Sequence, residues 1–233
     1  MAVLALVCIT LGIWQINRLA EKEAMIARVE MRIGTAPIPL PPFAEWQVLD
    51  AEVYDFQPVS LTGTFVPEET VMVFTNLAGA RGAHDGVGYW VVTPMRLADG
   101  GTVLVNRGFV PENARQLFDS SAAAGVPEDI KTITGIARKQ ETANSFTPGP
   151  DIAGRIEYVR SIARMTAMMD PALAPFAPIY VNAAATGPGI LPQGGETKID
   201  FPNRHFEYAM TWFSLAGVIV VMTGIWLWRR SRI

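Results

Sequence analysis

A run of 21 residues without a charge, positions 208–228, constrains this chain more than any other feature. As a helix it is about 31 Å long, which matches the hydrocarbon core of a bilayer. Tyr208, Trp212 and Phe213 mark one end and Trp226 and Trp228 the other, as expected where a helix crosses two interfaces. Arg229, Arg230 and Arg232 follow at once, which puts this end on the cytoplasmic face, or the matrix face of a mitochondrion. A second apolar run fills positions 1–16. It gives about 24 Å of helix, a little short of a span, and no basic segment opens it. A natural start further upstream, or a first turn inside the headgroup layer, accounts for that. A cleaved signal peptide needs a small-residue cleavage site, whereas Trp14, Gln15 and Arg18 lie at the end of this run. A retained anchor is therefore expected.

Two spans put both termini on one side and the residues between them on the other. Ala5 and Gly12 lie seven apart, as do Gly217 and Gly224, with Ser214 just before them. Such spacing lets two helices approach closely; it also occurs in helices that pack against nothing. The expected organisation is a membrane helix over 1–18, a helical stalk and Pro-rich linker over 19–42, a β-rich extracytoplasmic domain over 43–204, a second membrane helix over 205–228 and a basic tail over 229–233. A mean hydropathy of +0.23 agrees with a soluble body carrying a few spans.

Within the outer domain the pattern turns to strands. Val59, Leu61, Gly63 and Phe65 alternate with other residues, and TVMVF (70–74) is a short β-branched run. GYWVVTPMRL (88–97) and TVLVNRGFV (102–110) are separated by ADGG, a hairpin signal. Asn106 and Arg107 in the second of these read as turn residues. Segments 131–138, 155–160 and 178–183 add strands, while 112–125 and 161–170 read as helical. The predicted fold class is a membrane protein with one transmembrane helix at each terminus, flanking an extracytoplasmic antiparallel β-sheet or barrel-like α+β domain.

The composition narrows the chemistry. A net charge of −3 with no basic stripe argues against a nucleic-acid partner. The one cysteine, Cys8, lies in the first apolar run, so the outer domain has no disulfide, no CxxC and no thiol nucleophile. His84 and His205 are the only histidines, which excludes a multi-histidine metal site within one chain. There is no GxSxG, P-loop, HExxH or GxGxxG after a strand, so no enzyme is expected. His84 sits beside Asp85 in a Gly-rich loop, where solvation is explanation enough; the same holds for Glu68–Glu69 and Glu128–Asp129.

His205 is different. It lies three residues before the second span, and on a helix His205, Tyr208, Ala209 and Trp212 share one face. That face passes from water into lipid. A histidine presented there, beside aromatic rings and a small alanine, suits a flat amphipathic cofactor such as a haem. Gln15 and Arg18 sit at the equivalent depth on the first helix, and Arg18 and Arg204 suit haem propionates. Interfacial His, Tyr, Trp and Arg also serve as plain membrane anchors, and spacing alone leaves both readings open.

LGIWQINR (11–18), GYWVVTP (88–94), VLVNRGFVP (103–111) and NRHFEYAMTWFSLA (203–216), in this order and between these two spans, resemble the surfeit locus 1 family of cytochrome c oxidase assembly proteins. Glu21 and Phe109 depart from the family's usual aromatic and tryptophan. The resemblance implies an assembly factor for a haem–copper, aa3-type oxidase that assists haem a binding or insertion into subunit I. It implies a ligand role for the histidine at His205, and partners among subunit I, the other oxidase subunits and membrane lipid. It implies residence in a bacterial or mitochondrial inner membrane, with the domain in the periplasm or intermembrane space. Two other readings remain: an accessory subunit that stabilises the oxidase without holding haem, and a two-span extracytoplasmic sensor.

Overall fold

In the computed structural model the described residues are 1–121, 129–197 and 203–232. They form two units, a pair of helices (residues 1–31 and 199–233) and a β-domain (residues 32–198).

Both helices are long and apolar enough to cross a membrane. The first, α1, is one unbroken helix of 32 residues, Ala2–Ile33, about 48 Å in length. Its first half is apolar, and its second half carries Glu21, Lys22, Glu23, Arg28 and Glu30. The seam between the helices is built from small residues: Ala5, Cys8 and Gly12 of α1 are buried, as are Ala209, Ala216 and Ile219 of the C-terminal helix, His205–Arg230. Trp212 packs against this cluster. At Gly12 a Cβ would fall 2.6 Å from the Phe213 ring, so glycine there permits the ring's approach. On the second helix the expected small residues are not the ones used. A Cβ added at Gly217 or Gly224 would meet nothing within 4 Å outside its own helix turn. Ala209 and Ala216 take their place, because one residue further along a helix turns the side chain about 100° away from the seam.

In the β-domain the Pro-rich stretch contributes a two-residue edge strand, β1 (Ile38–Pro39), parallel to β2 (Pro58–Phe65). An edge suits proline, which has no N–H to give a second neighbour. A short 3₁₀ turn, Phe43–Val48, buries Trp46, whose indole N–H donates to the Pro41 carbonyl at 2.9 Å. A single-turn helix, α2 (Ala51–Tyr54), follows. Then come β3 (Val71–Leu77), β4 (Gly86–Leu97), β5 (Thr102–Pro111), β6 (Lys131–Lys139), β7 (Ile156–Glu157), α3 (Ile162–Thr166) and β8 (Phe176–Ala183).

The sheet closes on itself in the cycle β2–β6–β8–β5–β4–β2. Closure depends on the length of β4. One edge of it pairs with β3 over Gly86 to Val92 and then with β2 over Met95 to Leu97. Most pairings are antiparallel, but β5 and β8 run parallel. Val103 and Val105 of β5, with Ile179 and Val181 of β8, join one core cluster together with Trp46. Leu104, Phe109 and Tyr180 point the other way, into a second cluster closed by Met165, Met168, Met169 and Leu173. Strands buried on both faces read as continuous apolar runs, which is why these segments stand out in the sequence.

Four local expectations change. Asn106 and Arg107 are not turn residues: they lie within β5, and Asn106 is buried opposite Asn182. Residues 112–125 give a 3₁₀ turn, Glu112–Leu117, and positions 122–128 fall outside the described residues. The helix expected over 161–170 shortens to α3, after which Met168 and Met169 donate to the carbonyls of Met165 and Thr166 in tighter turns. The strand expected over 155–160 shortens to β7.

Candidate functional site

The seam ends in polar residues. On α1 the buried stripe Ala5, Cys8, Gly12 continues one turn later to Gln15. The C-terminal helix, α4 (His205–Arg230), carries His205 four residues before Ala209, on the same stripe. The two side chains meet, with His205 Nδ1 2.7 Å from Gln15 Oε1. Both are half-buried, so the bond sits where the apolar seam gives way to water. An amide oxygen only accepts, so in the neutral ring Nδ1 carries the proton and Nε2 bears the free lone pair. Among the described residues Nε2 has no hydrogen-bond partner.

His205 lines a groove of about 360 Å³ with Arg18, Glu21, Lys22, Met25 and Arg28, a size within the usual range of roughly 300–1,000 Å³ for small-molecule sites. Arg18 bonds Glu21 at 2.7 Å. Both groups are largely exposed, and such a pair contributes little and exchanges readily. Three cations against one carboxylate favour an anionic ligand group beside the imidazole.

Of the six residues singled out in the sequence, the groove and its hydrogen bond bring together Gln15, Arg18 and His205. Tyr208 is 53% exposed and turned off the seam. Trp212 packs on the seam, seven residues along α4 from His205 and so about 10 Å deeper. Arg204 caps α4 and is exposed, and it is not among the groove's lining residues. Lys22, Met25 and Arg28 were missed. Their signal was present, because Arg18, Lys22 and Met25 prolong the periodicity of the seam. Among the described residues no group of three or more His, Cys, Asp or Glu is placed to hold a metal ion. One imidazole with a free Nε2, a basic groove and an adjoining apolar helix pair together fit a porphyrin-held iron with carboxylate and hydrocarbon groups.

The β-domain holds a second polar cluster. Glu141 accepts hydrogen bonds from the Arg160 side chain and backbone, and Arg160 lies against the rings of Trp90 and Tyr180. Burial opposes ionisation of Glu141, but the guanidinium and backbone N–H of Arg160, with Arg138 beyond, hold its carboxyl below the ordinary value. Burial also pushes the Tyr180 hydroxyl above its ordinary value, and that hydroxyl has no partner among the described residues. A depressed carboxylate stabilises the fold above its unfolded pKa, and this contribution is lost as pH falls through the folded value. Denaturant unfolding measured from about pH 6 down to about pH 3 should show a loss of stability that is shallower in Glu141→Gln. Equal slopes for the two proteins would exclude this pair as a source of acid sensitivity.

Comparison with known proteins gives a consistent result. The model of the SURF1 family matches residues 2–217. A SURF1-like protein of Monosiga brevicollis is 32% identical over 234 residues, covering 95% of this chain and 83% of the relative. Surfeit locus protein 1 of Homo sapiens is 30% identical over 220 residues, covering 89% and 69% respectively. A SURF1-like protein of Drosophila melanogaster is 30% identical over 221 residues, with the same two shares.

Proposed function

We propose that this chain, which belongs to the SURF1 family, is an assembly factor for an aa3-type cytochrome c oxidase and holds haem a at His205 for insertion into subunit I. The observation that carries this reading is an imidazole with Nδ1 tied down and Nε2 free, lining a basic groove at the end of an apolar helix pair. When bound, haem a would bring an iron that accepts an imidazole nitrogen, two propionates and a farnesyl tail. His205 would offer Nε2 to the iron. Arg18, Lys22 and Arg28 would hold the carboxylates. The lipid-exposed side chains of α1 and α4 give the tail an apolar surface continuous with the membrane. A single protein ligand and a solvent-open groove keep the hold weak enough for delivery, so the role is binding and transfer rather than catalysis.

On this reading both helices span the inner membrane of a bacterium or mitochondrion. Arg229, Arg230 and Arg232 hold the termini on the cytoplasmic or matrix side, and the β-domain lies in the periplasm or intermembrane space. The remaining partners are the other oxidase subunits and lipid.

The test is purification of wild type and His205→Ala from cells that make haem a, followed by absorption spectra. Wild type should carry a Soret band, and the variant should retain less than about a tenth of the haem per chain, the size of loss expected when a metal site is disabled. An unchanged band would remove His205 from the ligand role. If haem were absent from both proteins while oxidase subunits co-purified with them, the chain would instead be a stabilising subunit.

A further inference from the structure

We infer that Gln15 is a positioning residue for His205: it selects the Nδ1–H tautomer and points Nε2 outward as the ligand. The inference rests on the haem reading for its purpose, but its physical basis is independent of any cofactor.

A neutral imidazole has two tautomers, and a ring at the N-terminus of a helix, open to water, is held in neither. Here Nδ1 meets an amide oxygen at 2.7 Å, and only N–H can do so. The two groups come from different helices, so the bond also fixes the ring's rotation relative to α1. One turn deeper the Phe213 ring rests on Gly12, which sets the helix separation at which a glutamine side chain reaches. At the half-buried end of an apolar seam the bond is stronger than it would be in open water. A histidine that binds metal through one nitrogen usually donates from the other, most often to a carboxylate or a carbonyl, and a carboxylate there raises the basicity of the ligand nitrogen. Gln15 performs the orienting task with a neutral oxygen. The result is an aimed ligand held by an uncharged partner, as suits a protein that must give its cargo away.

The first measurement needs no haem. The full chain, labelled with ¹⁵N-histidine in detergent, reports the tautomer of His205 from its two nitrogen shifts, with His84→Gln used for assignment. Wild type should show a protonated Nδ1 and a bare Nε2, and Gln15→Met should lose that preference. A protonated Nε2 in wild type, or the same tautomer in Gln15→Met, would overturn the inference. The second measurement titrates the proteins with hemin. Gln15→Met should bind about 10–100-fold more weakly, the usual effect of losing such a partner. Gln15→Glu, which keeps an acceptor at the same reach, should bind at least as tightly as wild type and lower the iron's reduction potential. Equal affinity in Gln15→Met and wild type would overturn the positioning role. Failure of the haem reading shows separately, as unchanged hemin affinity in His205→Ala.

Discussion

Gly108→Ala should destabilise the β-domain by about 3–5 kcal/mol, although it adds one methyl group. Gly108 has φ +137, where an L side chain is strained by about 1–3 kcal/mol. The added Cβ would also lie 2.4 Å from the carbonyl carbon and oxygen of Gln193 and 2.6 Å from the Gly194 nitrogen. These are backbone atoms and cannot swing aside. They belong to a segment laid on β5 by two hydrogen bonds, Phe109 N–H to the Gln193 carbonyl at 2.9 Å and Gln193 N–H to the Phe109 carbonyl at 2.8 Å. Each bond loosened costs about 1 kcal/mol. The displacement would spread, because the Gln193 side chain clasps the His84 backbone through both its N–H and its carbonyl, and Glu196 accepts from the backbone N–H groups of Arg81 and Gly82. Thermal unfolding followed by tryptophan fluorescence should fall by about 6 °C to about 20 °C, at about 2–4 °C per kcal/mol for a chain of this size. Gly149→Ala is the control, since a Cβ there meets nothing within 4 Å. A Tm within about 2 °C of wild type for Gly108→Ala would reject the argument.

Arg164→Met should produce a loss of similar size for a different reason. Glu157 is 0% exposed, and its carboxylate is held by Arg164 Nε at 2.9 Å and Nη2 at 2.7 Å, with the Tyr158 N–H adding a third bond at 2.8 Å. Removing the arginine strands a buried charge, at a cost of about 3–5 kcal/mol. It also frees the Pro148 carbonyl, to which Arg164 donates at 2.8 Å. The informative comparison is the double variant Glu157→Met/Arg164→Met. With both charges gone, no desolvated carboxylate remains, and most of the stability should return. Chemical denaturation of the three proteins reads this directly. A double variant no more stable than Arg164→Met would mean that the lost packing, and not the stranded carboxylate, carries the effect.

The positions of most strands along the chain were legible because local pattern marks them. The hairpin around ADGG and the β-branched runs are signals within ten or so residues of one another. What the sequence hid was non-local. Asn106 reads as a turn former until its partner is known, and that partner, Asn182, lies on β8, bonded at 3.0 Å and in turn donating to Thr197 at 3.0 Å. Nothing in a linear pattern announces that β5 and β8 lie side by side and parallel. The methionines of 161–170 look like helix formers and are used as core filler, which unbranched side chains do equally well. At the candidate site the sequence put Gln15 and Arg18 only at the same depth as His205, and the helical period grouped Tyr208 with His205, whereas Tyr208 is 53% exposed and off the seam. Residues three and four after His205 both count as neighbours on a helix, and only the position of the partner helix decides between them. It lies on the side of Ala209. Lys22 and Arg28 looked like the solvated charges of a stalk because their relation to His205 depends on the pairing of two segments almost two hundred residues apart.

The continuity of α1 has one more consequence. From Ala2 to Ile33 it contains no proline, and its only glycine, Gly12, is packed against Phe213, so it lacks the usual places at which a helix bends. It therefore acts as a ruler. Each residue keeps a fixed azimuth, about 100° from the last, and the residues that grip α4 share one phase with those that line the groove. The groove's aim is thus set from within the apolar half, and neither can be retuned without the other.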